Sequence, residues 1–247
     1  MVQGHRMWLD DKDTLELGRR GIYEPTETDL LKRELKPGQT FVDIGANIGY
    51  YTLIAARLVG PAGRVFAFEP DPANFALLKK NVERNGYDNV VLVGKAVSDR
   101  TRSARLYRSE TNRGDHRLYD SRDGRKSLRV QAAALDDFFL NRDKTIHLIK
   151  MDIQGAEAAA LAGMKALVRK NRRLKLITEF SPTALKNSGS KPSQYLKNLG
   201  KMGFKFWEIS EKEKSLRLVK PPALLNRPWT GADDYTNLFC VKNGKGP

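Results

Sequence analysis

A doubly wound, mostly parallel α/β sheet is the fold this chain predicts, and three observations predict it. Short β-forming runs alternate with helical runs of ten to fifteen residues, the mark of successive βαβ units. The strand-like runs are nearly continuous in apolar residues, as in strands covered on both faces. A glycine-bracketed turn, Gly45 to Gly49, joins the first strand to the first long helix, as in Rossmann-like folds.

The elements follow in order. TFVDI (40–44) reads as a strand and GYYTLIAARLV (49–59) as a helix. GRVFAFE (63–69) is the next strand, and a helix runs from Pro72 to about Asn85, with proline at its first turn. DNVVLVGKAV (88–97) reads as one strand. A polar, arginine-rich excursion over 98–129 follows, its ends ARLYRS and SLRVQAA predicted to pair antiparallel. LDDFFL (135–140) is a short helix, IHLIKMD (146–152) a strand, AEAAALAGMKALVRK (156–170) one helix, and RLKLITEF (173–180) a strand. A helix over 192–202 and the strands FKFWEIS (204–210) and NLFCVK (237–242) close the chain. LRLVKPPALLNRPW between the last two strands is too proline-rich for a helix. A hairpin is expected there, with the final strand antiparallel. WLDDKDTLEL, near the start, reads as a capping hairpin.

A length of 247 residues suits one α/β domain. The single cysteine, Cys240, excludes an internal disulfide framework and fits a reducing compartment. The first twenty residues lack the apolar stretch of a signal peptide, and no window approaches a membrane span. The reading is a soluble, cytoplasmic protein. The net charge of +15 is uneven: residues 100–129 carry ten Lys/Arg against four Asp/Glu, and residues 165–220 fifteen against four. Such a field favours anionic partners, and a merely solvated basic surface explains it equally well.

Three ligands compete for the turn in FVDIGANIGYYT. A P-loop needs a lysine where Tyr50 stands. A dinucleotide site needs a middle glycine where Asn47 stands. A nucleoside ligand without phosphate remains. Glu69, at the end of the second strand and twenty residues past Gly49, supports it: an acid so placed accepts hydrogen bonds from both ribose hydroxyls. The plainer alternatives for Glu69 are a surface acid or a helix cap.

VDIGANIGYYT, FAFEPDPANFALLKKNVERNG, VGKAVSD, GDHRLY and LIKMDIQGAE together, and in this order, resemble the FkbM family of S-adenosylmethionine-dependent methyltransferases. The likeness runs from about Gly4 to Ser210. It implies a class I methyltransferase fold with a seven-stranded, mostly parallel sheet, a final antiparallel strand and helices on both faces. It implies a single domain over 1–247, with 1–37 as an N-terminal cap and 98–129 lying over the active-site mouth. It also implies that Asp43, Gly45, Ala46, Asn47 and Gly49 line the methionine end of S-adenosylmethionine, with Tyr50 a neighbour. Glu69 would hold the ribose, with Pro70 and Asp71 beside the adenine, and Lys95 and Ala96 would flank the adenine edge. Lys95 stands where related enzymes carry an acid, so the Ala96 backbone is expected to serve the adenine amino group. Tyr23 and Glu24 are placed to reach the methionine portion.

Methyl transfer needs alignment and, for a neutral hydroxyl, a base. Asp152, ending the fourth strand, is the leading candidate. Lys150, on the same strand face, is expected to pair with a carboxylate. Gln154 stands where family members often have an acid, and an amide cannot be a base. Glu179 is a second rim carboxylate, but no Cys/His cluster exists and no obligatory metal is expected. His116, in the excursion, is either a second base or a plain loop histidine. His5 is expected at the surface, and His147 in a core hydrogen bond. The leading function is O-methylation of a hydroxyl on a small molecule, glycan or lipid, anionic acceptors included. Nucleic-acid methylation is the weaker alternative, because the Asn/Asp-Pro-Pro-aromatic tetrad and RNA-binding motifs are missing. A non-catalytic cofactor-binding module is the third.

Overall fold

The computed structural model describes residues 1–142, 144–229, 231, 234–243 and 246. The strands are β1 (Thr40–Ile44), β2 (Arg64–Phe68), β3 (Val90–Val93), β4 (Ala96–Val97), β5 (Arg102–Tyr107), β6 (Ser127–Ala133), β7 (Leu148–Met151), β8 (Lys175–Phe180), β9 (Phe204–Ser210), β10 (Ser215–Val219) and β11 (Thr236–Lys242). The helices are α1 (Leu17–Arg20), α2 (Pro25–Glu34), α3 (Tyr50–Val59), α4 (Pro72–Arg84), α5 (Leu135–Phe138), α6 (Glu157–Ala162), α7 (Lys165–Lys170), α8 (Pro182–Asn187), α9 (Pro192–Lys201) and α10 (Pro221–Leu225).

One sheet runs in the order β10-β9-β11-β8-β7-β1-β2-β3. β1 pairs in parallel with β2 and with β7, and β11 pairs antiparallel with both β8 and β9. Alternation along β1 shows why both faces need helices. Val42 and Ile44 join the apolar layer containing Leu161, Leu167 and Tyr195. Phe41 joins the opposite layer, with Leu30, Leu31, Tyr51 and Ile54. The period-2 geometry of a strand sends successive side chains into two separate cores.

The ends of the excursion pair as expected: β5 lies antiparallel to β6, and β4 joins them in a small second sheet. Other expectations need correction. Among the described residues the main sheet has eight strands rather than seven, because Ser215–Val219 forms an antiparallel hairpin with β9. The proline-rich stretch after it does contain a helix, α10, since both prolines occupy its first turn, where a missing N–H breaks no helical bond. The 88–97 run is two strands, because the chain turns at Gly94 and Lys95 and Ala96–Val97 leaves for the second sheet.

The 156–170 run is two helices. At Gly163 the backbone presses on the Ser98 carbonyl so closely that a Cβ would collide with it. The second helix starts afresh with Asp136 accepting from the Ala166 and Leu167 amides at 3.0 and 2.8 Å. No strand forms over 8–17. There the Asp10 carboxylate gathers the Lys12 and Thr14 amides and the Thr14 hydroxyl into a turn ahead of α1. His5 is buried rather than exposed, its Nε2 2.7 Å from the Tyr87 hydroxyl. His147 accepts from the Thr40 amide at 3.0 Å.

Candidate active site

A cavity of about 470 Å³ opens where β1, β2, β7 and β8 end. Asp43, Gly45, Ala46, Asn47, Tyr50, Glu69, Pro70, Lys95, Ala96, His116 and Asp152 all line it. Gly49 is set back from the wall as the N-cap of α3, with φ 98°.

The β1–α3 turn is shaped by backbone rather than side chains. Gly45 has φ 84°, and a Cβ there would collide with the Asp152 carbonyl oxygen. The glycine thus lets the cofactor turn pack on the β7 exit, where the Asp152 amide donates to Ile44 O at 3.1 Å. Asn47 takes the left-handed region at φ 49°, which asparagine tolerates better than most residues. Its amide donates to Glu69 Oε2 at 2.9 Å, and the Asp71 amide donates to Oε1 at 2.8 Å. Glu69 is buried, which pushes its pKa up to about 8 despite those two hydrogen bonds. Asp43 is tied down by the Thr52 hydroxyl at 2.6 Å, and burial raises it to about 6.

The β7 exit carries a carboxylate cluster. Lys150, opposite Asp43 in the β1–β7 register, lies 3.4 Å from both Glu27 of α2 and Asp152. Its ammonium sits 4.6 Å from the centre of the Tyr51 ring. Burial opposes its charge, but Glu27, Asp152 and Glu24 hold its pKa well above the ordinary value. Gln154 is not a base. At φ 53°, its amide nitrogen donates to Asp152 Oδ1 at 2.9 Å and to Glu179 Oε2 at 3.3 Å. Burial, then the Asp152 charge, raises Glu179 far above its usual value. Glu24 does not line the cavity. It accepts from the Tyr51 hydroxyl and the Asn237 amide behind the wall, whereas Tyr23 reaches it.

His116 stands at the other side. Its Nδ1 accepts from the Ser109 amide at 3.1 Å, and its Nε2 lies 3.9 Å from Asp71 Oδ2. Burial lowers its pKa against the pull of Asp71, leaving a neutral imidazole near neutral pH. Its Nε2 has no hydrogen-bond partner among the described residues, and it lines the same cavity as Asp152. Asp115 and Arg117 bind each other at 2.7 Å, and Arg125 joins them at 2.6 Å.

The wall fits a nucleoside carrying hydroxyl and amino donors. Asn47 and Asn74 each present a buried amide oxygen without a hydrogen-bond partner among the described residues, beside the carboxylate of Glu69. Buried acceptors left unpaired are costly, and a donor-rich ligand satisfies them. Among the described residues no three His, Cys, Asp or Glu side chains group to hold a metal. Asn74, Glu27 and Tyr235 were missed in the sequence. Asn74 lies three residues past the helix cap Asp71, a placement that signals only helix. Glu27 and Tyr235 come from segments distant in sequence and carry no local signal.

This arrangement, on a doubly wound sheet, defines the class: an S-adenosylmethionine-dependent class I methyltransferase. The family model described as "Methyltransferase FkbM domain" matches residues 43–206, and the chain belongs to that family. It is 29% identical over 187 residues to "2-O-methyltransferase NoeI" of Sinorhizobium fredii, covering 67% of this chain and 74% of that one. It is 28% identical over 161 residues to "31-O-demethyl-FK506 methyltransferase FkbM" of Streptomyces tacrolimicus, covering 53% of this chain and 62% of the relative. The crystal structure of methyltransferase FkbM from Methylobacillus flagellatus superposes with a TM-score of 0.50 at 18% identity, over 86% of this chain and 50% of that chain. Among the described residues no helix is long and apolar enough to cross a membrane.

Proposed function

We propose that the protein methylates a hydroxyl group of a small molecule or glycan, with Asp152 as general base. The observation that carries this reading is the Asp152 carboxylate itself. It lies at the carboxyl end of β7, beside the cofactor turn, on the cavity wall and in contact with Lys150. When bound, S-adenosylmethionine supplies a methyl group activated by a sulfonium. Glu69 accepts hydrogen bonds from the ribose hydroxyls, Asn47 and Asn74 take further donors, and the Ala96 backbone serves the adenine edge. Asp152 accepts the proton of the acceptor hydroxyl, while Lys150 and Gln154 hold its orientation. His116 serves the nucleoside side of the pocket. The names of the two relatives, both O-methyltransferases, support oxygen as the nucleophile.

The N-terminal segment 1–37 acts as a cap, and the excursion 98–129 covers the mouth. Supporting this, Thr14, Leu15 and Tyr23 line the cavity together with Thr111 to Leu118, and the Arg113 amide donates to the Thr14 hydroxyl at 3.3 Å. The test is calorimetry with S-adenosylmethionine and S-adenosylhomocysteine, then transfer of a radiolabelled methyl to alcohols and glycans. Failure to bind either nucleoside, or a label found only on nitrogen or carbon, overturns the reading.

A further inference from the structure

The excess of positive charge over residues 165–220 takes no part in the site just described. A second cavity, of about 520 Å³, gathers part of it. It lies between α7, the end of α9 and the last residue of β11. Lys242 faces Phe204, the first residue of β9, so the cavity sits at the opposite end of the strands from the active site. Lys165, Arg169, Lys201 and Lys242 line it, with Met202 as an apolar wall.

Lys165, Arg169 and Lys201 are exposed and Lys242 is buried, and three features bear on what the cleft can hold. Lys165 and Arg169 are one helical turn apart on α7, a like-charge pair that disfavours the helix. Lys242 is 7% exposed, and its ammonium donates to the Val168 carbonyl; burial and the Arg172 charge lower its pKa. None of the four cations forms an ion pair among the described residues. Among the described residues Asp136 is the one acid on the wall, and both its oxygens accept α7 amides. Cations from three elements thus converge on one hollow, where among the described residues no ion pair to these four neutralises them, an arrangement that favours an anion.

We propose that this cleft binds the phosphate group of a small molecule, at a site separate from the methyl-transfer pocket. The planar fork of Arg169 suits two phosphate oxygens at once. Lys165 and Lys201 add charge from either side, and Met202 offers apolar surface to the organic part of the ligand.

The test uses the full chain saturated with S-adenosylhomocysteine, so that the nucleoside site is occupied. Inorganic pyrophosphate is titrated by calorimetry at low salt, with the Met202 methyl signal followed by NMR. One saturable site is expected, weakening steeply with added salt and displacing the Met202 signal. The double variant Arg169→Ala/Lys201→Ala is expected to lose at least about tenfold in pyrophosphate affinity, with S-adenosylhomocysteine affinity unchanged. Absence of saturable binding overturns the proposal, as does equal binding by the variant or by acetate in place of pyrophosphate. An RNA oligonucleotide or phosphatidylglycerol vesicles that bind through Arg169 and Lys201 while pyrophosphate does not would also overturn it, by making the cleft part of a polymer- or membrane-binding surface.

Discussion

Glu69 is held by two backbone amides, yet burial keeps its pKa near 8 while the pocket is free of ligand. Only the ionised carboxylate accepts from both ribose hydroxyls. Affinity for S-adenosylhomocysteine is therefore expected to rise by up to about tenfold per pH unit between about pH 6 and 8, then level off. Glu69→Gln should flatten that profile and weaken binding by about a hundredfold, the loss of two charge-assisted hydrogen bonds. A flat wild-type profile from titration calorimetry would place the ribose elsewhere. Asp152→Asn tests the base: turnover should fall by about a hundredfold to ten-thousandfold with cofactor affinity nearly intact. Comparable turnover in that variant would remove Asp152 from the chemistry.

At the scale of elements, the N-terminal segment and the cofactor turn are joined through one helix residue. Asn81 of α4 accepts from the Trp8 amide at 2.6 Å and donates to the carbonyls of Trp8 and Ile48 at 2.9 and 2.8 Å. It is fully buried, so Asn81→Ala strands three backbone groups. The expected cost is about 2 kcal/mol, seen as a melting temperature lowered by about 5 °C. Because Ile48 lies in the turn, cofactor affinity should fall as well. A variant that melts and binds like the wild type would show that the cap and the turn are independent.

For the whole molecule, the buried carboxylates set the direction of pH dependence. Asp43, Glu157 and Glu69 have pKa values raised to about 6, 7 and 8 by burial. Each binds its proton more tightly folded than unfolded. Their stabilisation is complete below the unfolded value and is lost as pH climbs through 6, 7 and 8. His5, lowered to about 4 by burial, and Glu208, lowered to about 2 by Arg227 despite partial burial, act in the opposite sense. Their stabilisation is present above the unfolded values and is lost as pH falls through 4 and 2. The cofactor-free chain should therefore melt at a higher temperature near pH 5.5 than near pH 9, as calorimetric scans would read. The opposite order would mean that these carboxylates are ionised in the folded state.

The sequence by itself determined the alternating framework, the glycine turn, the acid twenty residues beyond it and the family. Those features are local: strand and helix periods, a turn needing positive φ at Gly45, and residues at fixed spacing within βαβ units. Tertiary structure decided what needed distant segments to meet. One helix became two because Asp136 capped the second and Ser98 crowded Gly163. The 88–97 strand divided because its last two residues found partners in another sheet. Burial of His5 depended on Tyr87, and the setting of Asp152 depended on Glu27 and Glu179 arriving from elsewhere. Burial and pairing are properties of the assembled chain, so the charges that tune this pocket follow from packing, while the residues that shape its turn follow from backbone geometry.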